Sequence, residues 1–379
     1  EAEHGGDNTI WPHKSAISSR PKLSGKELYT YSCTSELKGE SGTSMCGIGT
    51  FCHEFGHVLG LPDFYNTNNS DDSANDYTVG NWDVMAYGSY NNDGRTPPLY
   101  GAFERFMLGW LTPVQLTDAD SYTLEPLETS NTAYLIADEQ HNMTASQPSP
   151  NEYFLIENRQ YVGWDSIKSN RVNDAAIPGE GLLISHITFN STTWQNNKFN
   201  NSTPLGYDIV EAYGTNHSTS SSADTYPGAA NINHKLLTLN SGKELTDQQV
   251  FNIMQLDDKS VMFSFGEDTG EGFSFSPAEM GTIVTTYDKR PIEYLIDSTT
   301  IIGKGLLGKQ VNISIYNGTF EFSHDLHNWY TPSDTFSDTC DAEGSYQRLI
   351  YLRYAPTRQR CDTLLGALLV KNEMSQSNI

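Results

Sequence analysis

The spacing of apolar residues predicts two helices in the first third of the chain. In the first, residues recur at the three- and four-residue spacing of one helix face, namely Met45, Ile48, Cys52, Phe55 and Leu59. Gly60 follows, and glycine adopts the left-handed conformation that commonly ends a helix. The second helix is predicted after Pro97-Pro98 and before Gly109 and Pro113, with an inward face formed by Leu99, Phe103, Phe106 and Met107.

From about residue 116 the apolar period changes to two, which predicts β-strands. The strand-like runs up to residue 267 are YTLEPL, AYLIAD, EYFLIEN, GLLISHITF and SVMFSFG. The stretch 190–225 is especially polar, so we expect it to form surface loops. After a linker-like segment at 266–272, the alternating runs are TIVTTY, EYLIDS, QVNISIY, TFEFS, QRLIYLRYAP and GALLV. Short strands with regular turns favour a β-sandwich for this last part.

Composition and charge narrow the classes of partner. The 379 residues carry a net charge of −24, and such a surface repels nucleic acid and anionic lipid. The sequence contains no apolar run of the length that spans a bilayer. Its richness in Asn, Ser, Thr, Tyr and Gly, with few Lys, is typical of an extracellular protein. The first residues form neither a signal peptide nor an initiator Met, so we expect a processed chain.

Five cysteines are present, and none forms a CxxC pair that would indicate a cysteine metal site or a redox motif. Cys33 and Cys46 flank a polar loop, and Cys340 and Cys361 lie in one C-terminal segment. Each pair can form a disulfide in an oxidising compartment or remain as two buried thiols, and the sequence favours neither state. Cys52 precedes a histidine, and we interpret it as a helix-packing residue.

The candidate metal-binding and catalytic residues lie in the segment CHEFGHVLGLPD at 52–63. On a helix, His53 and His57 are separated by about 40° around the axis, so both imidazoles face one metal ion. Glu54 points about 100° away from His53, where it reaches a metal-bound water more easily than the metal itself. The alternative is an ordinary pair of packed or exposed helix histidines. Gly60 and Asp63 weaken it, because a sharp turn at the glycine can bring the carboxylate back as a third ligand.

The pattern HExxHxxGxxD, followed by the turn WDVMAYGSY, resembles the metzincin metalloproteases. Within them the string at 53–63 is most similar to the immune inhibitor A-like (M6) family. The resemblance continues through WPH, GRTPPLYGAFERFMLGWL, EYFLIENRQ, PGEGLLISHI, DIVEA and DTYPG to about residue 267. The last hundred residues are similar to immunoglobulin-like modules appended to secreted bacterial enzymes.

The resemblance implies an α+β protein with three parts. Residues 1–115 would form a metzincin-like catalytic domain, 116–267 a β-rich domain of the M6 type, and 268–379 an immunoglobulin-like β-sandwich. Only 52 residues precede the first histidine of the motif, so we expect the N-terminal strands of the catalytic domain to be missing. An N-terminal segment or propeptide of the same precursor is therefore an expected partner.

The resemblance also implies a role for each residue of the motif. His53, His57 and Asp63 would bind Zn²⁺, and Met85 would form a hydrophobic floor below it. Glu54 would take a proton from a zinc-activated water and pass it to the leaving amine. Tyr87 would ligate zinc or hydrogen-bond the reacting carbonyl, or else be an amphipathic residue at the rim.

The expected function is therefore a zinc-dependent endopeptidase, secreted or at the surface of a bacterium, that cleaves extracellular proteins. Two other classes remain open. One is an adhesion or binding protein on a degenerate protease fold, and the other is a zinc hydrolase of a different amide bond. Asp71, Asp72 and Asp76 allow a Ca²⁺ site, but without EF-hand spacing a solvated acidic loop is favoured.

Overall fold

The computed structural model describes eleven stretches of the chain, namely residues 2–3, 10–38, 42–68, 79–213, 220–268, 272–276, 295–304, 310–316, 320–341, 345–354 and 367–373. The chain divides into two compact units. The first contains residues 1–255 and 259–267, and the second contains 256–258 and 268–379.

The first unit combines short helices with many strands. Its strands are β1 (Ala2–Glu3), β2 (His13–Ala16), β3 (Lys22–Leu23), β4 (Lys26–Glu27), β5 (Thr30–Cys33), β6 (Leu37–Lys38), β7 (Ser44–Met45), β8 (Val114–Gln115), β9 (Asp120–Leu124), β10 (Tyr134–Ile136), β11 (Glu152–Arg159), β12 (Gly181–Thr188), β13 (Tyr207–Ile209), β14 (Gln249–Gln255) and β15 (Val261–Gly266). Its helices are α1 (Gly49–Leu59), α2 (Ala102–Met107), α3 (Leu127–Ser130) and α4 (Ser191–Gln195). Short 3₁₀ turns lie at Gly80–Trp82, Tyr87–Tyr90, Gly163–Ser166 and Val172–Asp174.

A five-stranded sheet in the order β13-β12-β11-β10-β8 forms the centre of this unit. Strands β11 and β12 pair antiparallel along their whole length, from Glu152 opposite Thr188 to Arg159 opposite Gly181. Alternate side chains of these strands enter different clusters, so the sheet is buried on both faces. Tyr153 belongs to one cluster and Phe154 to the other.

The first of these clusters positions the site. It contains Leu61, Phe64 and Met85 from the early part of the chain, together with Leu183 and Phe199 from the later part. Residues on both sides of position 115 therefore share one core. The division into parts at 115 and 267 stays a prediction.

Smaller sheets complete the first unit. Strand β15 pairs with β14 and β9, and its apolar residues close the second cluster. Near the N-terminus, β6 pairs with β1 and β7, β2 pairs with β5, and β3 pairs with β4. None of the helices in the described part of the chain is long and apolar enough to cross a membrane.

The second unit consists of strands in its described residues, namely β16 (Gly272–Ser276), β17 (Leu295–Lys304), β18 (Gln310–Tyr316), β19 (Glu321–Ser323), β20 (Thr335–Thr339), β21 (Tyr346–Tyr354) and β22 (Ala367–Glu373). They form one sheet in the order β16-β17-β21-β19 and another in the order β20-β18-β22. Residues of both sheets, among them Ile301, Val311, Ile313 and Ile350, share one hydrophobic cluster. The immunoglobulin-like assignment stays a prediction.

The mixed fold class and most of the predicted strands are confirmed. The run TIVTTY at 282–287 lies outside the described residues. The bounds of both predicted helices were wrong at the N-terminal end. Met45 lies in β7, so α1 begins at Gly49, and α2 begins at Ala102 rather than directly after Pro97-Pro98.

The apolar residues of α1 lie largely on its solvent side in the described structure. Phe51 is 51% exposed, and Phe55 is 43% exposed. The buried residues of this helix are Gly49, Glu54 and Gly56. The apolar period therefore identified the helix but not the side that packs against the rest of the unit.

Cys33 forms no disulfide in the structure, so the bridge to Cys46, one of the two states that the sequence left open, is not made. Cys361 lies outside the described residues, so the two states left open for Cys340 and Cys361 are not distinguished.

Candidate metal centre

Helix α1 supplies the two histidines, and its end determines where the chain goes next. Gly60 has a φ of 108° and donates its N–H to the carbonyls of Gly56 and His57. A residue with a side chain adopts this conformation at a cost, which explains the glycine. The reversed chain then brings Asp63 back to the histidine face of the helix.

Backbone carbonyls determine the orientation of both imidazole rings. The Nδ1 of His53 lies 2.9 Å from the carbonyl oxygen of Val84, and the Nδ1 of His57 lies 2.8 Å from that of Leu61. A carbonyl oxygen only accepts, so each Nδ1 carries the proton that it donates. In the neutral rings each Nε2 therefore presents a lone pair, as a metal ligand must.

The two Nε2 atoms and one carboxylate oxygen converge. Oδ1 of Asp63 lies 3.1 Å from Nε2 of His53 and 3.3 Å from Nε2 of His57. Ligands held about 2.0 Å from a tetrahedral ion lie about 3.3 Å apart, so this spacing fits a small divalent cation. Oδ1 is buried without a hydrogen bond of acceptable geometry, and a bound cation would remove that deficit. The potential ligand atoms of His53, His57 and Asp63 all lie within 4.8 Å of one another, and they form a cluster of three potential ligands within the described part of the chain.

The electrostatics of the centre favour an ionised Asp63. Burial raises the pKa of this carboxyl group, but His53 and His57 lower it by more, so the pKa lies below its usual range. Burial lowers the pKa of His53, and the Asp63 carboxylate outweighs that effect and raises it overall. Asp63 therefore presents an ionised carboxylate oxygen beside the two Nε2 atoms.

Glu54 occupies the same cleft but does not join the three converging atoms. Its side chain is buried, and burial raises the pKa of its carboxyl group above the usual range. A carboxylate with a raised pKa is a stronger base, which suits it to accept a proton from water. The cleft has a volume of about 530 Å³. It is lined by Pro12, His13, Lys14, His53, Glu54, His57, Gly60, Leu61, Pro62, Asp63, Tyr65, Trp194, Gln195 and Asn197.

Met85 lies below the histidine helix. It is fully buried, and its side chain packs directly against Gly56, where a Cβ atom would overlap its sulfur. Its carbonyl oxygen accepts a hydrogen bond from the N–H of Phe64 at 3.0 Å, which ties the turn at Met85 to the residue after Asp63. Met85 thus packs against the helix that carries both histidines and is not one of the three converging side chains.

These residues lie in the part of the chain that a comparison with known families identifies. Residues 2–111 match the catalytic domain of the immune inhibitor A peptidases, family M6. The match covers both histidines, Glu54, Asp63 and Met85, and it supports a metallopeptidase that acts on proteins. No curated protein and no solved structure matches the chain.

Two tyrosines of the M6-matching region bear on the centre, namely Tyr87, which the family resemblance singles out, and Tyr65. Tyr87 does not line the cleft, and its ring lies 6.2 Å from that of Tyr65. Tyr65 lines the cleft, and its ring lies 6.4 Å from the ring of His53. Burial, followed by the Asp63 carboxylate, raises the pKa of Tyr65, so this hydroxyl stays protonated. Its position two residues after Asp63, the third candidate ligand, was a signal that could have found it.

Two further cleft residues were missed or undervalued. His13 lies in β2 and lines the cleft, 40 residues before His53 in the chain. Asn197 follows α4 and contacts Asp63 directly, although the sequence indicated only a polar surface loop there. His186 lies in β12, and its Nε2 is 2.9 Å from Oε1 of Glu152, away from the residues that line the cleft. Asp71, Asp72 and Asp76, the calcium candidates, lie outside the described residues, as does His4.

Proposed function

We propose that this protein is a zinc-dependent endopeptidase of the M6 type. The observation that carries the proposal is the convergence of two oriented Nε2 atoms and one unbonded carboxylate oxygen at 3.1 and 3.3 Å. A base of raised pKa, Glu54, stands in the same open cleft. The family match over residues 2–111 supports peptide bonds as the target.

His53, His57 and Asp63 would hold the zinc ion. Two imidazole nitrogens and a carboxylate oxygen are a donor set that zinc prefers, and three protein ligands are typical of catalytic rather than structural zinc sites. Zinc bound there supplies Lewis acidity to the scissile carbonyl and to a water molecule.

The other residues transfer the proton and keep the imidazole rings in the required orientation. Glu54 accepts a proton from the attacking water on its carboxylate and then donates it to the nitrogen of the departing amine. The carbonyls of Val84 and Leu61 keep both imidazoles in the tautomer that the site needs. Tyr87, whose ring lies 6.2 Å from that of Tyr65, stays a candidate for hydrogen bonding to the reacting carbonyl.

The proposal extends to fold and location. The helix, the glycine turn, Asp63 and the buried Met85 support a metzincin-like arrangement around the metal. Two sheets with one shared cluster support an immunoglobulin-like second unit. The net charge of −24 and the abundance of Asn, Ser and Thr support a secreted or cell-surface location.

The decisive experiment compares wild type with Glu54→Gln, using Glu125→Gln at an exposed position as the matched control. Zinc content is measured by elemental analysis, and activity by cleavage of an unfolded protein with and without a chelator. We expect all three proteins to bind one zinc ion. The Glu54 variant should lose about 10²–10⁴-fold in kcat, whereas the control should not change.

Each alternative gives a different result in that experiment. Full activity of Glu54→Gln would refute the assigned base. Zinc binding without cleavage of any polypeptide by the wild type would indicate either a non-catalytic binding protein or a hydrolase of another amide. Cleavage of small acyl amides would distinguish the second of these from the first.

A further inference from the structure

We propose that Asn197 positions Asp63 for metal binding, so that the metal affinity of the centre depends on a loop 134 residues further along the chain. This inference rests on the proposed metal site and deepens it. Asn197 is a positioning residue, because it acts through its two hydrogen bonds to Asp63.

The amide of Asn197 makes two hydrogen bonds to the same residue. The backbone N–H of Asp63 donates to its Oδ1 at 2.7 Å, and its Nδ2 donates to Oδ2 of the Asp63 carboxylate at 2.6 Å. The backbone N–H only donates, so the oxygen of the amide must face it and the NH₂ group must face the carboxylate. The amide therefore has one orientation.

This pair of bonds separates the two oxygens of the Asp63 carboxylate. Oδ2 is occupied by the amide, whereas Oδ1 is left to face both imidazoles. Without the amide, the carboxylate can rotate about its last torsion, which is a soft one in aspartate. A ligand that must first be ordered binds its metal more weakly, since the ordering cost is subtracted from the binding energy.

The loop that presents Asn197 is itself well fixed. Asn197 has a φ of 55°, a left-handed conformation that asparagine tolerates better than most residues. Asn200 is fully buried and donates to the carbonyl oxygens of Phe64 at 2.8 Å and Tyr207 at 2.7 Å. Asn201 accepts from the N–H of Thr67 at 2.9 Å. The residues that follow Asp63 are thus bonded to the same loop.

An aromatic cluster beside the asparagines adds to this rigidity. The ring of Phe64 lies 6.0 Å from Trp194, 6.0 Å from Phe199 and 5.1 Å from Tyr207. Trp194 and Asn197 also line the cleft. The loop therefore holds the ligand-bearing segment by packing as well as by hydrogen bonds.

A purely structural role for the loop would give different measurements. If the amide only ties two segments together, its loss lowers the free energy of unfolding and leaves the metal affinity of the folded protein unchanged. If it positions Asp63, its loss weakens metal binding in a protein that is still folded. Loss of a hydrogen-bond partner to a metal ligand typically costs about 10–100-fold in metal affinity.

Two variants of the full chain test the role of the amide. Asn197→Gly keeps the left-handed backbone conformation and removes the side chain. Asn197→Asp keeps the shape of the side chain nearly unchanged. It replaces the Nδ2 donor by a negatively charged carboxylate oxygen, which would face Oδ2 of Asp63. The matched control is Asn201→Ala, which removes hydrogen bonds to Thr67 in the same segment but touches no ligand.

Metal affinity is measured directly and without any assay of activity. Co²⁺ titration followed by visible absorption reports the coordination, and competition with a chromophoric chelator gives the Zn²⁺ dissociation constant. Circular dichroism of the metal-free proteins checks that each variant is folded. We expect at least about 10-fold weaker binding for both Asn197 variants, and a change below about threefold for Asn201→Ala.

The outcomes separate this inference from the proposed function. Wild-type protein that binds neither Co²⁺ nor Zn²⁺ would overturn both. Wild-type binding with equal affinity in folded Asn197→Gly or Asn197→Asp would overturn the positioning role alone. Equal losses in the Asn201 control and the Asn197 variants would also overturn it, since the effect would then belong to the loop as a whole.

Discussion

At the N-terminal end of α1, the structure predicts an effect of glycine-to-alanine substitution opposite to the one expected from helix propensity. Gly49, the first residue of α1, is buried and has no unusual φ. Its N–H donates to the carbonyl oxygen of Gly94 at 2.8 Å. A Cβ atom at Gly49 would overlap the carbonyl oxygen of Ser89 and lie 2.8 Å from its carbonyl carbon. Gly49→Ala should therefore destabilise the protein.

The magnitude follows from what has to move. The overlapped atoms are backbone, so a rotamer change cannot relieve the clash, and overpacking of this kind costs up to about 3 kcal/mol. Displacing the helix also weakens the bond to Gly94, worth about 1 kcal/mol. Alanine returns at most about 1 kcal/mol through its better helix propensity. The net loss should be about 3 kcal/mol of unfolding free energy.

The matched control is Gly60→Ala at the other end of the same helix. Gly60 has a φ of 108° and open space around its Cα, so alanine there adds only backbone strain. That strain costs about 1–2 kcal/mol, and part of it is offset because alanine restricts the unfolded chain. Urea unfolding of the full chain, followed by tryptophan fluorescence, gives both values. The reasoning is refuted if Gly49→Ala costs less than Gly60→Ala, because conformation and not contact would then dominate.

Three further predictions concern buried charge and metal binding. Burial and the adjacent Asp83 carboxyl raise the pKa of Glu104, and burial raises the pKa of Asp83 to about 6. Both carboxyls lose their protons more easily in the unfolded chain, so the unfolding free energy present at acid pH decreases as the pH rises. In thermal unfolding, Glu104→Gln should lose less stability than wild type between about pH 5 and about pH 8, and equal losses would contradict this. The buried guanidinium of Arg159 lies 3.2 Å from Oε1 of Glu157 and 2.9 Å from Oδ2 of Asp165. Arg159→Met leaves both carboxylates buried without their partner, so it should lower the unfolding free energy in urea by about 3–5 kcal/mol. A decrease below about 1 kcal/mol would exclude a net contribution of these ion pairs to stability. Zinc at about 100 times its dissociation constant should add about 2.7 kcal/mol to the unfolding free energy by calorimetry, and an unchanged transition would argue against binding to the folded state.

The central part of the proposed metal site could be predicted from the sequence because its geometry is local. Residues four apart on a helix face the same way, so His53 and His57 were brought together by spacing alone. Asp63 followed from the turn at Gly60 and from the family resemblance. The strands were predictable for a similar reason, since alternation within a few residues reports a half-buried or buried strand.

The remainder depends on contacts between distant residues. Asn197 lies in a stretch whose composition indicates only a polar loop, and nothing local shows that its amide faces a carboxylate. The side of α1 that packs against the rest of the first unit could likewise not be predicted from the sequence. Gly56 is buried because Met85 packs against its bare Cα, and no apolar pattern marks a glycine as a contact point.

The bond between Asn197 and Asp63 also has a consequence for the order of folding. It joins residues 134 positions apart, and closing a loop of that length costs about 4 kcal/mol of chain entropy. The backbone hydrogen bonds within helix α1 are local, so the helix that places His53 and His57 on one side can form before that loop arrives. The third ligand becomes fixed only when that distant loop docks. Tight capture of the metal should then mark the completion of the first unit rather than start its assembly.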